Sequence, residues 1–189
     1  MLKAKSLYHL IVYSIFFIII LISFFTFIII NNAHEELQEK ITTLKEDYTN
    51  NQKALLKNYV NYVIKFIDYY YIENRDKFDE ETIQQNLILA LDHLNISSNP
   101  NEYIFIFDIN GNLIDNSNDK QEIGKNFLNY KDSKGKNVVK ELIEASKNSD
   151  GGFVNYFWSK PSLTKETNKI SYVKSYDRWN WTIGKGVYL

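Results

Sequence analysis

An unbroken apolar stretch near the amino terminus constrains this chain more than any other feature. Residues 7–30 contain no Asp, Glu, Lys or Arg. A helix of this length rises about 36 Å at ~1.5 Å per residue, which is enough to cross a hydrocarbon core of about 30 Å. It also satisfies its backbone amides internally, as lipid requires. The stretch therefore predicts one transmembrane helix over residues 7–30. The alternative is a cleaved signal peptide, but the run exceeds the usual apolar core and no small-x-small cleavage site follows it.

The charges on either side of this stretch predict its orientation. Lys3 and Lys5 precede it, and Glu35 and Glu36 follow it. By the positive-inside rule, residues 1–6 lie in the cytoplasm and everything after Ile30 lies outside. We therefore expect a protein of the inner (cytoplasmic) membrane with a periplasmic or extracellular main domain.

Composition excludes several classes of function. The net charge is -1, whereas a nucleic-acid-binding surface is strongly basic. The absence of cysteine excludes disulfides, zinc-thiolate sites and thiol catalysis. The three histidines, His9, His34 and His93, lie far apart, and no metal-ligand spacing, nucleophile elbow or phosphate loop is present. The sequence therefore predicts no enzyme activity, no metal and no cofactor.

The segment over residues 31–98 is predicted to be helical. No Pro or Gly interrupts it, and apolar residues recur at steps of three, four or seven, which predicts a helix over residues 32–72 with one apolar stripe. A helix this long cannot bury its whole stripe on one small domain. We expect its membrane-proximal half to form a parallel homodimer, the alternative being a solvated single helix. The stripe comprises Leu37, Ile41, Leu44, Tyr48, Leu55, Tyr59, Val63, Phe66 and Tyr70.

The remaining chain predicts a second helix and then a sheet. Asp79 is the expected N-cap of the second helix, and Asn99-Pro100 its end. Residues 99–189 are rich in aromatic and β-branched runs, with an Asn110-Gly111 turn between the first two. Five strands are predicted over residues 102–108, 113–116, 153–158, 169–176 and 179–188, with a helix over residues 137–148. This order favours an α+β fold, a five-stranded antiparallel sheet with helices packed on one face.

Several segments resemble one known family. They are residues 103–112 (YIFIFDINGN), Gly124-Lys125-Asn126 followed by Lys131-Asp132, and residues 152–161 (GFVNYFWSKP), 169–174 (KISYVK) and 179–188 (WNWTIGKGVY). Their order resembles single Cache domains of the second type, the outer sensing parts of bacterial chemoreceptors, sensor histidine kinases and cyclase receptors. The resemblance implies a PAS-like fold with a long amino-terminal helix that binds a small organic molecule and signals across the membrane. It also implies a second membrane helix and an output domain, so we expect this chain to be part of a longer receptor.

The chain departs from the family pattern at three places. Asp115-Asn116 stands where a His-Pro pair is frequent, Ser159 where Pro is frequent, and Lys185 where Thr is frequent. These departures concern the ligand preference more than the fold.

Side-chain alternation along the strands indicates a binding site. Tyr103, Phe105 and Phe107 share one face of the first strand, and the resemblance directs Tyr156 and Trp158 toward the pocket. An aromatic cage with one or two cations and several hydroxyls suits a small carboxylate. The candidate cations are Lys160 and Lys169, and the candidate hydrogen-bond donors are Tyr130, Tyr156 and Tyr172. The alternative for the aromatic residues is plain core packing, and for Lys160 a solvated surface charge. Trp179 and Trp181 are expected to be structural.

Two other classes of protein share parts of this pattern. Type IV pilins also join an apolar helix to an amphipathic helix and a sheet, but they carry a Glu within the apolar stretch that is absent here. A membrane-tethered binding domain without signalling output is the second alternative.

Overall fold

A long helix, α1, spans Leu2–Asn74 in the computed structural model, which describes residues 2–94, 101–160 and 166–189. The chain divides into two units, Met1–Tyr48 and Thr49–Leu189. In the first unit the apolar side chains of residues 10–30 are exposed, and this part of α1 is long and apolar enough to cross a membrane. The predicted helix over residues 32–72 is confirmed within α1.

Helix α2 spans Glu80–Leu94 and begins where the sequence predicted. The Asp79 carboxylate accepts hydrogen bonds from the backbone N–H and the hydroxyl of Thr82, both at 2.9 Å. This is N-cap geometry, which satisfies a donor that the first helical turn leaves free. The predicted helix end at Asn99-Pro100 lies outside the described residues.

The second unit contains a five-stranded antiparallel sheet in the order β2-β1-β5-β4-β3. The α+β class is therefore confirmed. The last strand begins two residues later than predicted, because Asp177–Trp179 forms a 3₁₀ turn before it. The strands are β1 Ile104–Asp108, β2 Leu113–Asn116, β3 Gly152–Ser159, β4 Glu166–Tyr176 and β5 Trp181–Tyr188, and helix α3 spans Val138–Ser146.

Helices cover both faces of the sheet, so the prediction that they pack on one face is wrong. On one face, the carboxy-terminal part of α1 and helix α2 bury a core that includes Ile67, Leu87 and Ile106. On the other face, α3 buries Val138 and Leu142 against aromatic side chains of the sheet. A sheet whose two faces both carry apolar side chains must be covered twice. We call these the α1/α2 face and the α3 face.

The apolar positions of α1 form two stripes, not the single stripe that the sequence predicted. In the second unit Leu56, Val60 and Val63 are buried against the sheet, whereas Leu55 is 61% exposed. Leu55 therefore belongs with the exposed apolar residues of the helix and not with the core stripe. Seven-residue spacing alone cannot separate two stripes that lie side by side on one helix.

Candidate ligand-binding site

A cavity of about 420 Å³ opens on the α3 face of the sheet. Its size lies within the range of small-molecule sites, 300–1,000 Å³. The sheet supplies its inner wall, α3 contributes Leu142, and the segment after β2 supplies part of its mouth. The lining residues are Tyr103, Phe105, Phe107, Leu113, Asn116, Asn118, Asp119, Glu122, Phe127, Tyr130, Leu142, Tyr156, Trp158, Ser159, Lys160 and Lys169.

Lys169 places a buried amine at the aromatic inner wall of this cavity. Its side chain is fully buried on β4, and within the described part of the chain its Nζ makes no hydrogen bond. Burial lowers the pKa of Lys169 to about 7, and the positive charge of Lys185 adds to this effect. A buried ammonium without a counter-ion is costly, and an anion that enters the cavity would remove that cost.

Aromatic rings surround the Lys169 ammonium. Its Nζ lies 3.9 Å from the ring centroid of Tyr103, 4.9 Å from that of Tyr188 and 5.8 Å from that of Phe105. Ring faces attract cations, but they supply no counter-charge. The Tyr188 hydroxyl donates to the carbonyl of Ser159 at 2.8 Å, which fixes this ring beside the cation.

Two of the predicted tyrosine donors in the cavity have partners within the domain. The Tyr156 hydroxyl lies 2.8 Å from Oγ of Ser171, and because either atom can donate, Tyr156 can turn its proton toward a ligand. Tyr130 donates instead to the Glu166 carboxylate at 2.8 Å. Burial, together with this carboxylate, raises the pKa of Tyr130 to about 12. Tyr130 therefore contributes a wall to the cavity while its proton is engaged.

Two glycines on β5 make room for the side chains that form the inner wall. A Cβ at Gly186 would lie 2.6 Å from Cε of Lys169 and would also collide with Ser171. A Cβ at Gly184 would collide with the Phe105 ring. Both glycines lie on the α3 face, where they pair with Ser171 and Phe105 respectively. The absence of side chains here lets Lys169 and Phe105 lie directly on the sheet.

The structure brings seven of the eight predicted site residues to one cavity: Tyr103, Phe105, Tyr130, Tyr156, Trp158, Lys160 and Lys169. It does not bring Tyr172 there. Tyr172 is buried on the opposite, α1/α2 face, where its hydroxyl donates to the carbonyl of Asp150 and its ring packs on Phe153. The placement of Tyr172 in the site is therefore wrong, because residues three apart on a strand point to opposite faces.

Several residues in the cavity or beside it were not predicted from the sequence. Gly186 and Tyr188 alternate on the last strand, so period-two spacing could have placed them on one face. Their position beside Lys169 depends on the register Lys169↔Tyr188, which the sequence does not reveal. The polar mouth, which includes Asn116, Asp119 and Glu122, lies at the end of β2 and after it, where no periodic signal exists.

The departures from the family pattern fall on both faces of the sheet: Asn116 and Ser159 line the cavity, whereas Asp115 and Lys185 lie on the α1/α2 face. Asp115 is fully buried and pairs with Lys120, which also binds Asp92 of α2, each at 2.6 Å. Burial raises the pKa of Asp115, although Lys120 opposes this. Lys185 lies on the α1/α2 face, with its Nζ 4.2 Å from the ring centroid of Tyr59.

The fold and the cavity define a sensor module of the kind found in chemoreceptors and sensor histidine kinases, as comparison with known proteins shows. The family model for Single Cache domain 2 matches residues 48–189. The chain belongs to this family.

Two curated relatives connect the domain with signalling. The sensor histidine kinase MctS of Rhizobium johnstonii is 31% identical over 152 residues, which is 80% of this chain and 32% of MctS. The methyl-accepting chemotaxis protein McpP of Pseudomonas putida is 27% identical over 116 residues, which is 61% of this chain and 20% of McpP. The chain thus spans less than a third of the length of each relative.

A solved structure supports the same assignment. It is a Cache chemosensory domain described for its structural basis of carboxylic acid recognition, and it is 27% identical to this chain. It superposes with a TM-score of 0.67 and covers 76% of this chain and 97% of the other. The Cache, PAS-like architecture is therefore confirmed.

Proposed function

We propose that this protein is the extracytoplasmic sensing region of a transmembrane receptor and that its cavity binds a small organic anion, a short carboxylate in particular. The observation that carries the proposal is the Nζ of Lys169, which is fully buried beside aromatic rings in the cavity and has no hydrogen-bond partner among the described residues. A carboxylate beside it gains a charge-assisted hydrogen bond in a medium of low dielectric constant. The similarity to a domain described for carboxylic acid recognition supports the same ligand class.

A thermal-shift screen tests the ligand class. The panel comprises small organic acids, amino acids and amines, and the signal is intrinsic tryptophan fluorescence, to which Trp158 in the cavity wall contributes. A ligand at a hundredfold excess over its Kd stabilises the folded state by about 2.7 kcal/mol. We expect only molecules with a carboxylate to raise the melting temperature. Stabilisation by amines or neutral molecules alone would contradict the proposal.

Matched variants connect the ligand to Lys169. Loss of a charge-assisted hydrogen bond weakens binding by about 1.5 to 3 kcal/mol, or roughly 10- to 150-fold in Kd. We expect this loss for Lys169→Met and not for Lys174→Met, because Lys174 lies on the same strand but does not line the cavity. Equal affinities of the two variants would remove Lys169 from the site.

We place residues 7–30 across the membrane, residues 1–6 in the cytoplasm, and the domain outside. The length and composition of the apolar segment and the flanking charges support this topology. A reporter enzyme that is active only in the cytoplasm, fused after Leu189, should be silent. Strong reporter activity would contradict the topology and would indicate that the domain lies in the cytoplasm.

We propose that α1 mediates a parallel homodimer. In the described chain, exposed apolar side chains recur along α1 at intervals of seven residues, as in coiled coils. They are Ile41, Tyr48, Leu55, Tyr62 and Tyr69. Single cysteines that replace Leu37, Ile41 or Leu44 should crosslink in membranes with helical periodicity. Absence of crosslinks at every position would favour a solvated single helix.

We infer that a conformational change in the sheet transmits the effect of ligand binding toward the membrane. Lys169 pairs directly with Tyr188 near the end of β5, so a ligand at Lys169 acts next to the last strand. A ligand that binds one arrangement of β5 better than another shifts the population toward that arrangement. A binding domain that is tethered but transmits no signal is the competing reading, and a fusion of this chain to a receptor output domain separates the two. Ligand-dependent output supports the sensor, and output that ignores a bound ligand supports the tether.

A further inference from the structure

The cavity has electrically different ends. Its sheet end carries the buried Lys169 ammonium among aromatic rings, whereas its mouth carries the carboxylates of Asp119 and Glu122. Lys160 also lines the cavity, and its Nζ lies 5.7 Å from the ring centroid of Tyr188, the ring that also borders Lys169. The Lys169 amine has no hydrogen-bond partner in the described part of the chain, and it indicates an anionic ligand independently of these two carboxylates.

The two acidic residues keep binding capacity for a ligand. Asp119 accepts the N–H of Gln121 through Oδ1 at 3.0 Å, and Glu122 accepts Lys125 through Oε1 at 2.7 Å. Each carboxylate has a second oxygen that these bonds do not use, and an ionised carboxylate can accept several donors. The neighbouring Lys120 binds Asp92 and Asp115 instead. Lys125 forms an ion pair with Glu122 and offsets its charge, so the negative charge of the mouth rests mainly on Asp119.

The cavity is larger than a simple short carboxylate requires. A two- or three-carbon acid has four or five heavy atoms and displaces roughly as many water molecules, at about 30 Å³ each. Such a ligand occupies roughly a third of the 420 Å³. A ligand with its carboxylate at Lys169 therefore has space for a chain that reaches toward Asp119 and Glu122.

We propose that the ligand is a zwitterion, a small ω-amino acid or similar molecule whose carboxylate binds Lys169 and whose cationic group binds Asp119 and Glu122 at the mouth. This inference rests on the proposed carboxylate function and narrows its ligand class. The arrangement of charges in the cavity matches such a molecule, because the carboxylate would bind at the buried end and the cationic group at the exposed end. It opposes a dicarboxylate, whose second charge would meet the carboxylate of Asp119.

Calorimetric titration of the full chain in detergent micelles with end-group series tests the proposal. Three series of straight-chain acids of two to five carbons are titrated, and they carry a methyl, an ammonium or a carboxylate group at the far end. Butyrate, 4-aminobutyrate and succinate are examples of the three series. At the best length we expect the ammonium series to bind roughly 3- to 10-fold more tightly than the methyl series, as a partly exposed charge-assisted contact allows. In the Asp119→Asn, Glu122→Gln double variant this ratio should fall close to one. The control Asp76→Asn, whose carboxylate lies outside the cavity, should keep the ratio.

The outcomes separate this inference from the proposed function. Equal or tighter binding of the methyl series overturns the zwitterion and leaves the carboxylate function intact. Tightest binding of the dicarboxylate series also overturns it and assigns the second carboxylate of the ligand to Lys160. If no acid of any series binds, the carboxylate function fails, and the zwitterion fails with it. A ratio that survives the double variant overturns the assignment to Asp119 and Glu122.

Discussion

Replacement of Lys169 by Met should make the ligand-free domain more stable, although it removes a side chain from the centre of the site. Met has nearly the same length and fills the space, so no cavity is created. In the wild-type domain the Lys169 amine is fully buried and has no hydrogen-bond partner in the described structure, so burial disfavours its charged form. Its removal relieves a desolvation cost that only a ligand compensates. The size of this gain depends on pH.

The direction and size of this pH dependence follow from proton linkage. The pKa of Lys169 falls from its ordinary 10.5 to about 7 on folding, chiefly through burial. Between these two values the unfolded chain binds the proton and the folded chain does not, so the stability of the wild-type domain rises with pH. The slope approaches 1.4 kcal/mol per pH unit, which amounts to about 2.5 kcal/mol between pH 7.5 and 9.5. Lys169→Met should lack this contribution, so its stability advantage should shrink by that amount as the pH rises.

Urea unfolding of residues 49–189, followed by tryptophan fluorescence at several pH values, measures this difference. Lys174→Met serves as the control, because it removes a lysine from the same strand outside the cavity. The difference between wild type and Lys174→Met should change little with pH. A Lys169→Met variant that is less stable than wild type, or equally pH-dependent, would show that the Lys169 ammonium has a partner in the ligand-free domain and would refute the reasoning.

Three other substitutions separate binding from folding. Gly186→Ala should cost about 1 to 3 kcal/mol of stability, measured by urea unfolding, and should weaken carboxylate binding, measured by calorimetry, because the new Cβ would displace Lys169. Trp158→Ala should lower both affinity and stability, the latter by about 2 kcal/mol or more, since this half-buried ring packs in the cavity wall. Tyr172→Phe should cost about 1 kcal/mol of stability through loss of the hydrogen bond to Asp150, with unchanged affinity. A stable Gly186→Ala variant with normal affinity, an unaffected Trp158→Ala variant, or weakened binding by Tyr172→Phe would each contradict the geometry described.

The fold was predictable because its signals are local. Strand periodicity, the Asp79 cap and the apolar run at residues 7–30 each follow from neighbouring residues in the sequence. The number of strands and the antiparallel class followed from these signals. The location of the helices did not, because one apolar face of a helix does not reveal which face of the sheet it covers.

The candidate site was predictable in part. Alternation placed Tyr103 and Phe105 on one face, and the pocket contains both. Tyr172 has a hydroxyl that could donate to a ligand, but alternation along the strand separates it from Lys169. The lysine and Tyr188 meet only through the pairing of β4 with β5, and this register is a property of the folded sheet. The acidic mouth lies largely in an irregular segment, so its contribution required the structure.

Titration of the domain with propionate and propanamide tests the central claim most directly, because the two molecules have almost the same shape and differ in charge. If the Lys169 ammonium recognises a carboxylate, calorimetry should detect propionate binding at least 10-fold tighter than propanamide binding, with the difference absent in Lys169→Met. Equal affinities of the wild-type domain for the acid and the amide would contradict the account.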